Sequence, residues 1–420
     1  MPLLLAPVLA QAVILHLADR TEARYLDYGD EVYEASTAPA ASLRFDWRRA
    51  SLALGYAPSF TLTPLEEKPR DLLVYHQFAA GAGYRWRRSS LKLSSAYGFG
   101  GVNFRAGGLR GSPVPTAPSE PAPSEPGQTP GGEQAPPGPQ TPTPGDPNNG
   151  QLRIADENVR YYTTTTSLSY ATEFTKELRG EAHIGHMRGG GLDTRSRELY
   201  PSIRSWFAGA SSTYDYLLTA KDSFATTVGL EGSISEAEPF GATALVLTAT
   251  EGWRHTFDSR TLTGLTAGIN ITRFTQGDGL QGFSVFPNFQ GWFAHQERLW
   301  GGLLGLGVYA YSAPTLDPLR ALVDPRLGGG AAVTYTRKRF TVGIDGGAAV
   351  SLSPPQQAQS SIDTAQAQAK LSYAVSDYVS ADTGARYWRQ GVGGQVVIPS
   401  SWSAFVGLTL GYEKRLSSGH

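Results

Sequence analysis

Cysteine is absent from the 420 residues, and methionine occurs only twice. The first absence rules out thiol catalysis, disulfide cross-links and a lipidated cysteine anchor within this sequence. No run of 18 uncharged apolar residues occurs beyond the first few positions, so membrane-spanning helices are excluded. If the chain crosses a membrane, it must do so as a closed barrel, the other architecture that satisfies every backbone polar group in lipid. An excess of charge is lacking too. The 36 Lys and Arg against 37 Asp and Glu leave a formal net charge of -1, which gives no electrostatic footprint for nucleic acid.

What is present is glycine and aromatic residues: 49 Gly, 20 Tyr, 17 Phe and 8 Trp. With a mean hydropathy of -0.25, this composition suits strands with one apolar face better than an apolar core. The length alone would allow two or three soluble domains or a single barrel.

Period-two patterning is the main signal. Along 52–62 the even positions are Leu52, Leu54, Tyr56, Pro58, Phe60 and Leu62, and the odd positions are Ser, Ala, Gly or Thr. Along 340–350 Phe340, Val342, Ile344, Ala348 and Val350 oppose Thr341, Gly343, Asp345 and Gly347. Along 365–375 Ala365, Ala367, Ala369, Leu371, Tyr373 and Val375 oppose Gln366, Gln368, Lys370 and Ser372. A face that carries glutamines and a lysine along its length meets water. Many of these segments reach ten residues or more, beyond the five or six of a soluble strand and close to the 9–11 of a tilted membrane strand.

The patterning predicts strands over 21–28, 38–48, 50–62, 72–86, 90–104, 154–175, 178–188, 198–219, 223–235, 242–257, 261–274, 283–295, 299–311, 327–336, 340–352, 362–375, 378–389 and 402–415. The junctions between them alternate. Short charged ones fall at Arg48-Arg49, Arg87-Arg88-Ser89, Lys176-Glu177, Lys221-Asp222, Asp258-Ser259-Arg260, Gln296-Glu297-Arg298, Arg337-Lys338-Arg339 and Ser376-Asp377, with longer Gly/Pro-rich connections between. Outer-membrane barrels have this asymmetry, with short periplasmic turns and long extracellular loops. The expected fold is therefore all-β: one antiparallel transmembrane barrel of about eighteen strands, its ends both periplasmic. Trp47, Tyr84, Trp86, Trp253, Phe257, Tyr335 and Tyr387, near strand ends, would form interfacial girdles.

Two segments stand apart. Residues 1–12 pair an apolar run, Leu3 to Ala10, with the small-x-small pattern Ala10-Gln11-Ala12, which suggests a secretory leader or its remnant; the barrel then occupies 13–420. Residues 106–150 are rich in Pro and Gly with hardly an aliphatic side chain, and read as a disordered extracellular insertion.

A barrel of this size is wide enough for an aqueous channel. The face opposite the apolar one supplies the candidate lumen residues Arg44, Asp46, Arg48, Gln77, Arg85, Lys92, Glu173, Glu231, Arg254, Asp345, Gln366, Gln368, Lys370, Asp382, Arg386 and Trp388. Mixed charge, amides and rings suit a hydrated, weakly charged or uncharged solute such as a sugar; an unselective water-filled wall would look the same. No cofactor or metal is expected. His183 and His186 lie three apart on a strand and so point to opposite faces, and Gly189-Gly190-Gly191 and Gly328-Gly329-Gly330 are not followed by helical patterns. A barrel hydrolase would need Ser, His and an acid within mutual reach, and an adhesion anchor would rest on 106–150; these are the alternatives to a channel.

Nearly the whole chain apart from 106–150 resembles outer-membrane barrels of the porin-like superfamily. The segment 406–413 resembles a terminal barrel strand, although the chain continues past it to His420. The stretches Leu15 to Tyr28 and Leu54-Gly55-Tyr56-Ala57-Pro58 are similar to barrels of myxobacterial type. That resemblance implies an outer-membrane protein surrounded by lipid, a conduit for polysaccharide export, and periplasmic or lipoprotein partners.

Overall fold

The computed structural model describes residues 12–27, 31–62, 72–103, 158–199, 201–237, 241–276, 280–317, 322–352, 362–392 and 395–418. The insertion 106–150, residues 1–11 of the leader-like segment and much of the predicted long connections lie outside the described residues.

In chain order the strands are β1 (Ala12–Asp27), β2 (Glu31–Thr37), β3 (Ala40–Asp46), β4 (Ala50–Leu62), β5 (Leu73–Arg85), β6 (Ser89–Asn103), β7 (Asn158–Glu173), β8 (Leu178–Gly191), β9 (Ile203–Leu217) and β10 (Asp222–Ala237). They continue as β11 (Gly241–Asp258), β12 (Thr261–Gln276), β13 (Leu280–Leu299), β14 (Gly302–Asp317), β15 (Leu322–Arg337), β16 (Phe340–Ser351), β17 (Ile362–Ala374), β18 (Val379–Val392) and β19 (Gln395–Ser418). β2 and β3 are two halves of one strand. Both pair with β1, and Ala38-Pro39 separates them because proline has no N–H to donate to the ladder.

The eighteen resulting strands pair antiparallel with their chain neighbours, and β1 with β19 closes the ring from Ala12↔Ser418 to Asp27↔Trp402. Closure removes the unpaired edges an open sheet would expose. The tight turns, at 47–49, 86–88, 174–177, 218–221, 259–260, 300–301, 338–339 and 375–378, share one end of the barrel with the described chain ends.

Several boundaries differ from the sequence reading: β14 runs on to Asp317, β15 starts at Leu322 and β19 at Gln395, and three further differences have a clear cause. The charged run Gln296-Glu297-Arg298 belongs to β13, and the hairpin turns at Trp300-Gly301, both with positive φ of 49° and 75°. The glycine marks the turn, since it reaches that region without a Cβ penalty, whereas the charges mark the water at the barrel mouth. β1 starts at Ala12, not at residue 21, because residues 12–20 complete the ladders to β19 and β3. The connection after β8 contains a short helix, α1 (Thr194–Leu199), so β9 begins at Ile203, not 198. Asp193 caps α1: its Oδ1 accepts the Ser196 N–H at 2.8 Å, and its carbonyl accepts the Arg197 N–H at 2.9 Å.

The faces of the wall are inverted relative to a soluble protein. Exposed large apolar side chains line the outside, among them Trp206 at 50%, Ile344 at 59% and Val406 at 63%. Inside, rings lie flat against glycines of the next strand. A Cβ on Gly330 would come within 2.8 Å of the Tyr309 hydroxyl, one on Gly328 within 2.7 Å of Tyr311, and one on Gly384 within 2.9 Å of Phe405. These glycines let a large inward ring fold along the wall. Gly191 serves a different contact, since a side chain there would collide with the Ser196 backbone of α1.

Candidate functional site: the inner wall

Strand register decides which side chains share the interior. The exposed apolar positions Leu371, Tyr373, Ile344, Val406, Leu408 and Leu410 fix the outer parity of β16, β17 and β19. The opposite parity carries Asp345, Gln368 and Arg386 in one row, Gln366 and Trp388 in the next, and Lys370 with Gly384 in another. On the other side of the seam, the same reasoning places Arg44 beside Ala53, Asp46 beside Ser51, Gln77 beside Ala57, Lys92 beside Gly83, Arg85 beside Ser90 and Glu173 beside Arg179 on the inner face. Glu231 is paired with Val246 and Arg254 with Ser223, also inside. Arg48 is the exception. It sits in the turn 47–49, beyond the last paired residue of β3, where the backbone reverses and strand parity no longer applies.

Around the seam the inner wall is a dense ionic network. Glu22, on β1, accepts from Arg20 Nη2 at 2.8 Å and pairs with Arg24 Nε at 3.0 Å and Arg386 Nη1 at 3.6 Å. Arg24 Nη2 also reaches Glu34 at 3.5 Å. Arg386 donates from Nε to Gln368 Oε1 at 2.9 Å and lies over the Phe405 ring at 4.1 Å, a cation–π contact. One step away Lys370 pairs with Asp382 at 3.1 Å. Two predicted residues, Gln368 and Arg386, thus belong to one connected patch with Glu22, Arg24 and Phe405, and two more, Lys370 and Asp382, form a separate pair. The carboxylates of Glu22, Glu34 and Asp382 are buried.

A second constellation lies near the tight-turn end, between β3 and β7. Arg44, Arg48, Arg49, Arg85 and Lys92 line a cavity of about 350 Å³ with Asp46 as the acid. Arg44 Nε donates to Asp46 Oδ1 at 2.7 Å. The floor consists of small residues, Ser51, Ala53, Ala79, Gly81, Gly83 and Ser94.

The far wall is sparser. Arg179 pairs with Asp215 across β8 and β9, and Asn270 accepts from Thr248 Oγ1 at 2.7 Å and from Asn288 Nδ2 at 3.3 Å. His183 faces inward beside Gly209, whereas His186 lies outside against Trp206, ring centroids 4.4 Å apart. Among the described residues no group of three or more His, Asp or Glu could hold a metal ion.

Sequence reasoning missed Arg20, Glu22, Arg24, Glu34 and Phe405. The signal was weak because β1 is polar on both faces. Asp19 and Thr21, of outer parity, bond to Thr37 at 3.0 and 3.1 Å, so alternation there is lost.

No family model and no curated protein matches the chain. Solved structures do. The FrpB iron transporter from Neisseria meningitidis, in its F3-3 variant, superposes with a TM-score of 0.51 at 11% identity, covering 90% of this chain and 62% of that one. Its F5-1 variant in the apoprotein form gives 0.53 at 9% identity, with 94% and 81% covered. The outer membrane protein OpdK from Pseudomonas aeruginosa gives 0.48 at 11% identity, with 97% and 100% covered. The chain spans less than two thirds of the first FrpB chain. At these identities the FrpB likeness establishes the barrel fold.

Proposed function

We propose that the chain is an integral, non-enzymatic outer-membrane channel that passes hydrophilic solute. The observation that carries this reading is the pairing of a closed eighteen-strand ring with an apolar outer face and a charged inner one. Rings of this strand number have room for an aqueous path, and a wall of paired charges suits water on that side. The tight-turn end would face the periplasm and the other end the exterior, as in barrels of this class. FrpB, a neighbour that shares the barrel fold, is an iron transporter, in line with a transport role. Passage of a polysaccharide, with periplasmic or lipoprotein partners, rests on the sequence resemblance alone and is the finer form of the proposal.

The test is reconstitution into planar bilayers. Stepwise ion conductance is expected from barrels that retain heat-modifiable mobility on gels. Folded, inserted protein that never conducts would overturn the reading.

A further inference from the structure

We infer that the cavity between β3 and β7 binds an anionic group, a carboxylate or phosphate on a passing solute; the inference rests on the channel reading. The sequence reading favoured weakly charged solutes because it averaged the whole inner wall. Locally the average fails.

Arg44, Arg48, Arg49, Arg85 and Lys92 bring five cations to a space of about 350 Å³ with one acid, Asp46, and Asp46 already holds Arg44 at 2.7 Å. That volume matches the low end of small-molecule sites. The arrangement is also built to leave space. Ser51, Ala53, Ala79, Gly81 and Gly83 put nothing larger than a hydroxymethyl group on the floor, and even a Cβ on Gly83 would approach Ser51 Oγ to 3.0 Å. The long cationic side chains therefore surround a hollow. Four of the five cations are arginines, whose planar forks suit bidentate bonds to carboxylate and phosphate oxygens. The seam network shows the contrast: there Arg24 and Arg386 meet Glu22 and Glu34 directly, and the charges cancel within the wall. Among the residues that line the cavity the excess is positive.

The experiment uses single channels of the full chain in bilayers of neutral lipid, so no anionic headgroup is present, with inorganic phosphate as the probe. Under a salt gradient the reversal potential is expected to show anion preference. Phosphate added from the tight-turn side is expected to reduce the current at lower concentration than from the other side. Arg85→Gln and Lys92→Gln are each expected to raise the half-blocking concentration about tenfold, the loss of one charge-assisted bond. Arg260→Gln, on the rim outside the cavity, is expected to leave it unchanged. Channels that conduct with neither anion preference nor sided block, or that lose block equally in Arg260→Gln, would overturn the site while leaving the channel intact. Absence of conductance in every bilayer would instead overturn the channel reading and the site with it.

Discussion

Arg24 shows how charge is held in this wall. Its side chain and that of Glu22 are 6% and 4% exposed, and it bridges Glu22 to Glu34. Buried pairs gain little over a well-packed apolar alternative, but removing one partner is costly because the other charge keeps its desolvation penalty. Arg24→Met should destabilise the folded barrel by about 3–5 kcal/mol, and adding Glu34→Gln should recover part of that loss. Urea titration of barrels in lipid vesicles checks this; a loss under about 1 kcal/mol, the scale of an exposed pair, would show the network to be solvated. Legibility at this scale was uneven. Asp345, Gln366, Gln368 and Lys370 could be read because apolar residues alternate with them, and the register sets them on one face. Arg24 and Glu34 could not, since hydroxyl and carboxylate groups on the outer face of β1 erase the alternation. Arg48 lies in a turn, where strand parity gives no face, although it lines the same cavity as Arg44 and Arg85.

At the scale of the element, strands were legible and their ends less so. A strand of period two announces itself over ten residues, but its end is set by whichever residue can turn, as Gly301 does past Arg298. The α1 segment was not foreseen: a six-residue helix has too little periodicity to detect, and its cap is one residue, Asp193. Hydrogen bonds from Ser196 hold the Asp193 carboxyl below the ordinary carboxylate range. A depressed folded-state value means that the cap contributes fully above the unfolded carboxyl value and is lost as the pH falls through the folded one. The protection of the Ser196 amide, its exchange relative to the intrinsic rate at each pH, should therefore fall on acidification below the unfolded Asp value, and Asp193→Asn should remove that pH dependence. Unchanged protection in the native chain would show the cap to be unimportant. β17 allows a test of the two faces. Leu371→Arg, outside, should cost up to about 2–4 kcal/mol, falling toward the membrane boundary, whereas Ser372→Arg, inside and in register with Asp382, should cost much less. Equal losses in vesicle refolding would contradict the assignment of faces.

For the whole molecule, the ring was legible in the alternation of short and long junctions, which parity turns into an even strand count. What sequence could not supply was proximity around the ring. Glu22 and Arg386 are 364 positions apart by their numbers, yet they lie 3.6 Å from each other. No local pattern reports such a contact; it follows from closure.

Closure itself has a consequence for how the molecule is made. The seam joins Ala12 to Ser418, so its hydrogen bonds belong to the contacts of greatest sequence separation in the chain. Until β19 arrives, β1 and β18 present two bare edges, each able to template a strand from another molecule. Assembly is thus vulnerable until its final ladder forms, and that ladder pays the largest loop-closure entropy. A truncation before Val406 would remove most of the seam while sparing the other hairpins. Such a chain should accumulate as aggregate even though nearly every strand it needs is present.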